Sequence, residues 1–141
     1  MPNIRHLVRI KSSPAKIFDA VTTARGFSSW WTTEVASKPG QPKVLVLKFG
    51  PDYHKELELT AVENAKSATW KCLVGDKEWV GTDIVFNLKS SGAETRLFFE
   101  HNAWGEYTDL FSQCSYDWTL FLRSLKSLCE TGAGKPFPDY E

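Results

Sequence analysis

The stretch "YTDLFSQCSYDWTLFLRSLKSLCE", Tyr107–Glu130, decides the fold. Its apolar residues fall at Phe111, Cys114, Trp118, Phe121, Leu125 and Leu128, at spacings that alternate between three and four. That is the period of a helix with one apolar face. Glu106 and Asp109 lie at its start and Arg123 and Lys126 near its end, the arrangement that the helix dipole favours. Thr131-Gly132 and the following "GKPFP" stop it. At ~1.5 Å per residue the helix is about 35 Å long, enough to cross a whole sheet of a small domain.

Upstream, the period changes. Five strand-like runs precede the helix: "KVLVLKFG" (Lys43 to Gly50), "KELELTAVE" (Lys55 to Glu63), "SATWKCLV" (Ser67 to Val74), "EWVGTDIVFNLK" (Glu78 to Lys89) and "ETRLFFEHNAW" (Glu94 to Trp104). Turn chemistry separates them, in "GPDYH", "ENAK", "GDK" and "SSGAE". Connections this short imply antiparallel hairpins. A further strand, "IRHLVRI" (Ile4 to Ile10), opens the chain, which gives about six strands in one sheet.

Between the first strand and the Pro/Gly-rich connection "SKPGQP" lies "SSPAKIFDAVTTARGFSSWWTTE", Ser12–Glu34. Ser13 caps a short helix whose first residue is Pro14, where a missing N–H costs nothing. Gly26 is suited to a positive φ that ends it, and "FSSWW" follows as a second short helix or tight loop. The expected architecture is α+β. A curved antiparallel sheet wraps a long C-terminal helix, and two short helices after strand one close one end.

The bulk numbers fit one domain spanning residues 1–141, with 42% hydrophobic and 24% charged residues. Seventeen basic and seventeen acidic side chains cancel, and no run of three Lys/Arg occurs. That argues against nucleic acid or an anionic membrane surface as the main partner. No apolar run approaches a bilayer span, and the N-terminus carries no secretory pattern, so the cytoplasm is the expected location. Cys72, Cys114 and Cys129 form no C-x-x-C pair, and the three histidines have no metal-ligand spacing. Neither a metal nor another cofactor is expected.

Three segments resemble the SRPBCC superfamily (START-like, helix-grip fold). More narrowly, they resemble the branch related to the C-terminal domain of the activator of heat-shock-protein-90 ATPase. They are "SSPAKIFDAVTTARGFSSWW", "GAETRLFFEHNAW" and "YDWTLFLRSLKSLCETGAGKPF". The resemblance implies a deep, largely apolar cavity between sheet and helix. Relatives with this fold bind lipids, hormones or aromatic polyketides, catalyse cyclisation or dehydration, or act as partners of a chaperone. Fold alone does not choose among these.

Alternation in the last strand puts Leu97, Phe99 and His101 on one face. With that face toward the cavity, His101 stands near the rim as a weak candidate for proton transfer or ligand orientation. The simpler reading is a hydrogen-bonded histidine that anchors the strand-to-helix corner. Trp30, Trp31, Trp70, Phe86, Phe99, Trp118, Phe121 and Leu122 are the candidate ligand-contacting wall, against the plainer reading of a solid core filled by its own rings. Trp79 lies beside a turn and reads as a surface or rim aromatic, and Asp83 reads as solvent-facing.

The first functional expectation is a binding protein for a small lipophilic or aromatic ligand. The alternatives are a chaperone-interacting module that uses an exposed Trp30-Trp31 edge, and a polyketide-cyclase-like enzyme. The last needs two convergent acid/base groups where the sequence offers only His101, so the balance leans away from catalysis. Pairing of two copies through a sheet edge stays open.

Overall fold

The computed structural model describes residues 2–141. Seven strands form one antiparallel sheet: β1 (Ile4–Ile10), β2 (Glu34–Lys38), β3 (Gln41–Lys48), β4 (His54–Glu63), β5 (Ser67–Val74), β6 (Asp83–Ser91) and β7 (Glu94–Asn102). Their order across the sheet is β1-β7-β6-β5-β4-β3-β2. Consecutive strands are therefore neighbours except at β1, which returns to pair with β7, Ile4 opposite His101 and Ile10 opposite Thr95. Helices α1 (Pro14–Thr22) and α2 (Ala24–Trp30) follow β1, and α3 (Asp109–Thr131) closes the fold. The architecture is the expected helix grip.

The seventh strand is the one the sequence hides. "SKPGQP" is a hairpin rather than an open connection: Lys38 pairs with Gln41, and Pro39-Gly40 makes the turn with Gly40 at φ 76°. A second correction concerns β6, which begins at Asp83 rather than Glu78. Residues 76–81 curl instead, with the Trp79 and Val80 amides donating to the Asp76 carbonyl at 2.9 and 3.1 Å. That curl carries Trp79 inward to 5% exposure, so it is a core ring and not a surface one. Asp83 is half-buried and pairs with Lys71 at 3.1 Å.

Gly26 does not end α1. It sits inside α2, where α2 lies so close to α1 that a Cβ would stand 2.5 Å from the Ala20 carbonyl oxygen. Close approach, not a positive φ, demands glycine here. Thr23 ends α1 and caps α2, its hydroxyl accepting from the Gly26 amide at 2.9 Å. The last carbonyls of α1 find side-chain donors: the Trp30 indole N–H on Ala20 at 2.8 Å, and that of Trp70 on Val21 at 2.9 Å. Carbonyls left open at a helix end need such partners when buried.

On α3, Thr108 accepts from the Phe111 amide, and Gly132 ends the helix at φ 90°. Its apolar face (Phe111, Cys114, Trp118, Phe121, Leu122, Leu125, Cys129) is buried against the inward residues of the strands. All three cysteines are free and buried. Among the described residues, no helix is long and apolar enough to cross a membrane.

Candidate functional site

The interior between sheet and α3 is mostly solid ring. Trp30, Trp70, Phe86, Phe99 and Leu122 are each at most 2% exposed and serve as packing in that core. Phe99 meets Trp118 at 4.5 Å and Phe86 at 5.4 Å between centroids, spacings at which aromatic pairs attract. Of the residues expected to wall a cavity, Trp31, Trp118 and Phe121 line the pocket of about 210 Å³ at the open end of the cleft.

The Trp30-Trp31 pair explains that division. Trp30 is the last residue of α2 and Trp31 its helical C-cap, so the two side chains leave the chain at different angles. Trp30 turns under α1, whereas Trp31 leans over Trp118 at 4.9 Å. Both are buried, at 0% and 2% exposure, so the exposed tryptophan edge expected from sequence does not exist.

His101 is not at the rim. It is fully enclosed, with Nε2 2.8 Å from the Thr82 hydroxyl and Nδ1 accepting from the Trp118 indole N–H at 3.1 Å. Burial foremost, and the charge of Lys55 second, push its pKa down to about 3. Both nitrogens are engaged in joining β7 to α3.

The pocket's polar groups come from positions that sequence reasoning passed over. Lys55, near the start of β4, is only 7% exposed and lines the pocket. Its Nζ donates to the Tyr53 hydroxyl at 2.6 Å, and that hydroxyl donates to Asp76 Oδ2 at 2.8 Å. The Asp76 amide donates back to the Tyr53 oxygen at 3.1 Å and fixes its place. Three rings surround the Lys55 nitrogen, with Trp79 at 4.0 Å, Tyr53 at 4.5 Å and Phe49 at 5.3 Å to their centroids. Burial draws the Lys55 pKa below its ordinary value, and the Asp76 carboxylate at 4.0 Å opposes that shift. Burial also raises the Tyr53 pKa, helped by its bond to Asp76.

A signal for Lys55 was present. Tyr53, Lys55 and Leu57 share one parity, and Leu57 is fully buried, so a lysine two residues upstream points the same way. The rest of the pocket comes from distant segments. Cys114 and Asp117 come from α3, while Phe137 and Tyr140 come from the tail that crosses the opening. The Phe137 amide donates to the Trp31 carbonyl at 2.8 Å, and Tyr140 stacks on Phe121 at 4.3 Å. Among the described residues, no group of three or more His, Cys, Asp or Glu could hold a metal ion.

The sequence profile described as "Activator of Hsp90 ATPase homolog 1-like protein" matches residues 11–130. Among solved structures, the chain is similar to the Aha1 dimer from Colwellia psychrerythraea, a solution structure. The two are 33% identical with a TM-score of 0.84, over 95% of this chain and 100% of that one. CalU16 from Micromonospora echinospora shares the fold at 17% identity and TM-score 0.77, over 97% of this chain and 71% of that one. MLL2253 from Mesorhizobium loti does so at 18% identity and TM-score 0.77, over 90% of this chain and 96% of that one. Comparison with curated proteins gives no match. Profile and fold agree: the chain belongs to the Activator of Hsp90 ATPase homolog 1-like family, on the SRPBCC helix-grip fold.

Proposed function

We propose that this protein binds a small aromatic or lipophilic molecule carrying an oxygen acceptor, in the pocket between α3 and the start of β4. One observation carries the reading. A lysine at 7% exposure spends one of its three donors, on Tyr53, and stands on the wall of a pocket lined mostly by rings. Buried polar groups without partners are costly, so the two remaining N–H groups favour a ligand oxygen. The volume of about 210 Å³ suits one substituted ring. For scale, an apolar cavity of ~150 Å³ accepts benzene. Burial of the ligand's apolar surface supplies ~25 cal/mol per Å².

The test is a titration with benzoate, benzyl alcohol and toluene, read by tryptophan emission and calorimetry. The oxygen-bearing probes are expected to bind about ten- to a hundredfold more tightly than toluene, the worth of a hydrogen bond to a charged donor. Lys55→Met is expected to erase that preference. If saturating probe leaves emission and heat unchanged, the reading is wrong. It is equally wrong if Lys55→Met binds all three as the wild type does.

A second reading, contact with a chaperone, is supported by the family match and by likeness to Aha1. Its surface would have to lie elsewhere than Trp30-Trp31, since both are buried. A pull-down with the chaperone that yields no complex, together with an unchanged ATPase rate, would count against it. The dimer named for the Colwellia protein also supports pairing of two copies here, which sedimentation would test.

A further inference from the structure

The Lys55–Tyr53–Asp76 group is more than a polar handle. Its members form a directed chain, Nζ–H to the Tyr53 oxygen at 2.6 Å and the Tyr53 O–H to Asp76 Oδ2 at 2.8 Å. A single shift of two protons along that chain turns an ammonium and a carboxylate into an amine and a carboxylic acid. Tyr53 passes one proton on as it receives another. Two influences oppose each other at Nζ. The rings and Asp76 favour the ammonium, while burial favours the neutral amine.

From this geometry we infer that Lys55 captures small aromatic aldehydes or ketones as a reversible imine, with Tyr53 and Asp76 as its proton store. This rests on the reading of the pocket as a ligand site and deepens it by naming the ligand's functional group. After the shift, the Nζ lone pair attacks the carbonyl carbon. A C–N bond forms and the C=O π pair moves to oxygen, which takes the proton held by Asp76, relayed through Tyr53. The nitrogen of this carbinolamine gives up one proton to the chain. The hydroxyl leaves as water with the proton returned from Asp76 through Tyr53, and C=N closes as an iminium. Its remaining N–H proton passes back through Tyr53 to Asp76 to leave the neutral imine. Amine plus carbonyl gives imine plus water, with no net proton consumed and no oxidant or reductant required. Formation of a neutral imine also removes a charge from a site that solvates it poorly. Trp79, its ring centroid 4.0 Å from Nζ, and Trp118, stacked beside it at 6.1 Å between centroids, line the part of the pocket that would hold the carbonyl's ring.

Surface lysines are poor competitors. With an ordinary pKa of about 10.4, roughly one in a few thousand is unprotonated at neutral pH. The experiment treats the full chain with benzaldehyde and cyanoborohydride at neutral pH and maps the reduced adduct by peptide mass spectrometry. Benzyl alcohol, which cannot form an imine, is titrated in parallel. One benzyl adduct on Lys55 is expected before any surface lysine is modified. It should be absent in Lys55→Arg and slowed on the order of a hundredfold in Tyr53→Phe, the usual scale for losing a positioned proton-transfer group. Near-UV circular dichroism checks that both variants keep the fold, and the wild-type map needs no variant. If benzyl alcohol binds but no adduct forms, or adducts scatter over surface lysines, imine capture is overturned and the ligand reading stands. If neither adduct nor binding occurs, both fall.

Discussion

The indole N–H of Trp118 donates to Nδ1 of His101 across 3.1 Å, which ties the middle of α3 to the end of β7. Because Nδ1 accepts, the neutral ring carries its proton on Nε2, facing the Thr82 hydroxyl at 2.8 Å. That hydroxyl donates in turn to the Trp79 carbonyl at 2.6 Å. The chain runs in one direction, and the turn that delivers Trp79 is held from behind by the same histidine. A second proton on the ring would break the bond to Trp118.

Stability should therefore fall in mild acid. An unfolded histidine titrates near ~6.5, and His101 in the fold is held down to about 3, by burial first and Lys55 second. Between those values the unfolded chain takes up a proton that the native state refuses. The contribution is fully present above the unfolded pKa and is lost as pH falls toward the folded one. The slope approaches ~1.4 kcal/mol per pH unit. Urea unfolding between pH 7 and pH 4 is expected to show this slope, reduced in His101→Gln. The variant retains all the carboxylates, so equal slopes in the two proteins would sink the account.

Gly26→Ala is expected to destabilise the fold by about 1–3 kcal/mol, the scale of overpacking, although alanine is the better helix former by ~1 kcal/mol. The new Cβ meets the Ala20 carbonyl oxygen at 2.5 Å and the Ala20 Cα at 2.6 Å, backbone atoms that cannot rotate away. Displacing α2 also pulls the Trp30 indole from the Ala20 carbonyl. Thermal unfolding measures the effect, and an unchanged midpoint would contradict it.

Lys55→Met is expected to leave stability unchanged or to raise it by about 1–2 kcal/mol. Methionine is of similar length and adaptable, and it carries no charge to desolvate. Asp76→Asn should do the opposite, since it leaves the Lys55 ammonium buried without its nearest carboxylate. Urea midpoints of the two variants should move apart. Parallel movement would show that Lys55 is not the strained member.

Truncation after Gly132 is expected to increase binding of an apolar fluorescent dye without unfolding the sheet. Phe137 packs on Phe49, Tyr140 stacks on Phe121, and the Phe137 amide bonds the Trp31 carbonyl. Dye emission and far-UV circular dichroism, measured together, separate uncovering from collapse.

Most of the fold was legible because its signals are local. The three-four spacing of α3, the Ser13 cap before Pro14 and the alternation of β7 each report on neighbours in sequence. The misreadings share the opposite property. "SKPGQP" looks like a linker unless a partner for Glu34–Lys38 is known, and that partner is β3. Gly26 reads as a helix end until α1 is seen 2.5 Å from where its Cβ would be. The site was less legible still. Tyr53 and Asp76 sit in two turns 23 residues apart, and only the pairing of β4 with β5 brings the turns together. His101 drew notice as the one inward-facing titratable group in a readable strand. Lys55 has the same credential by parity with Leu57, yet a lysine at a strand's beginning is ordinarily solvated.

The adjacent indoles have an optical consequence. Trp30 and Trp31 lie with centroids 5.6 Å apart and planes within 14° of parallel, close enough for their electronic transitions to couple. One ring of the couple belongs to the immobile interior and the other to the pocket wall. A guest that tilts Trp31 against its fixed neighbour would alter the coupled circular-dichroism band, giving the protein a built-in, label-free gauge of occupancy.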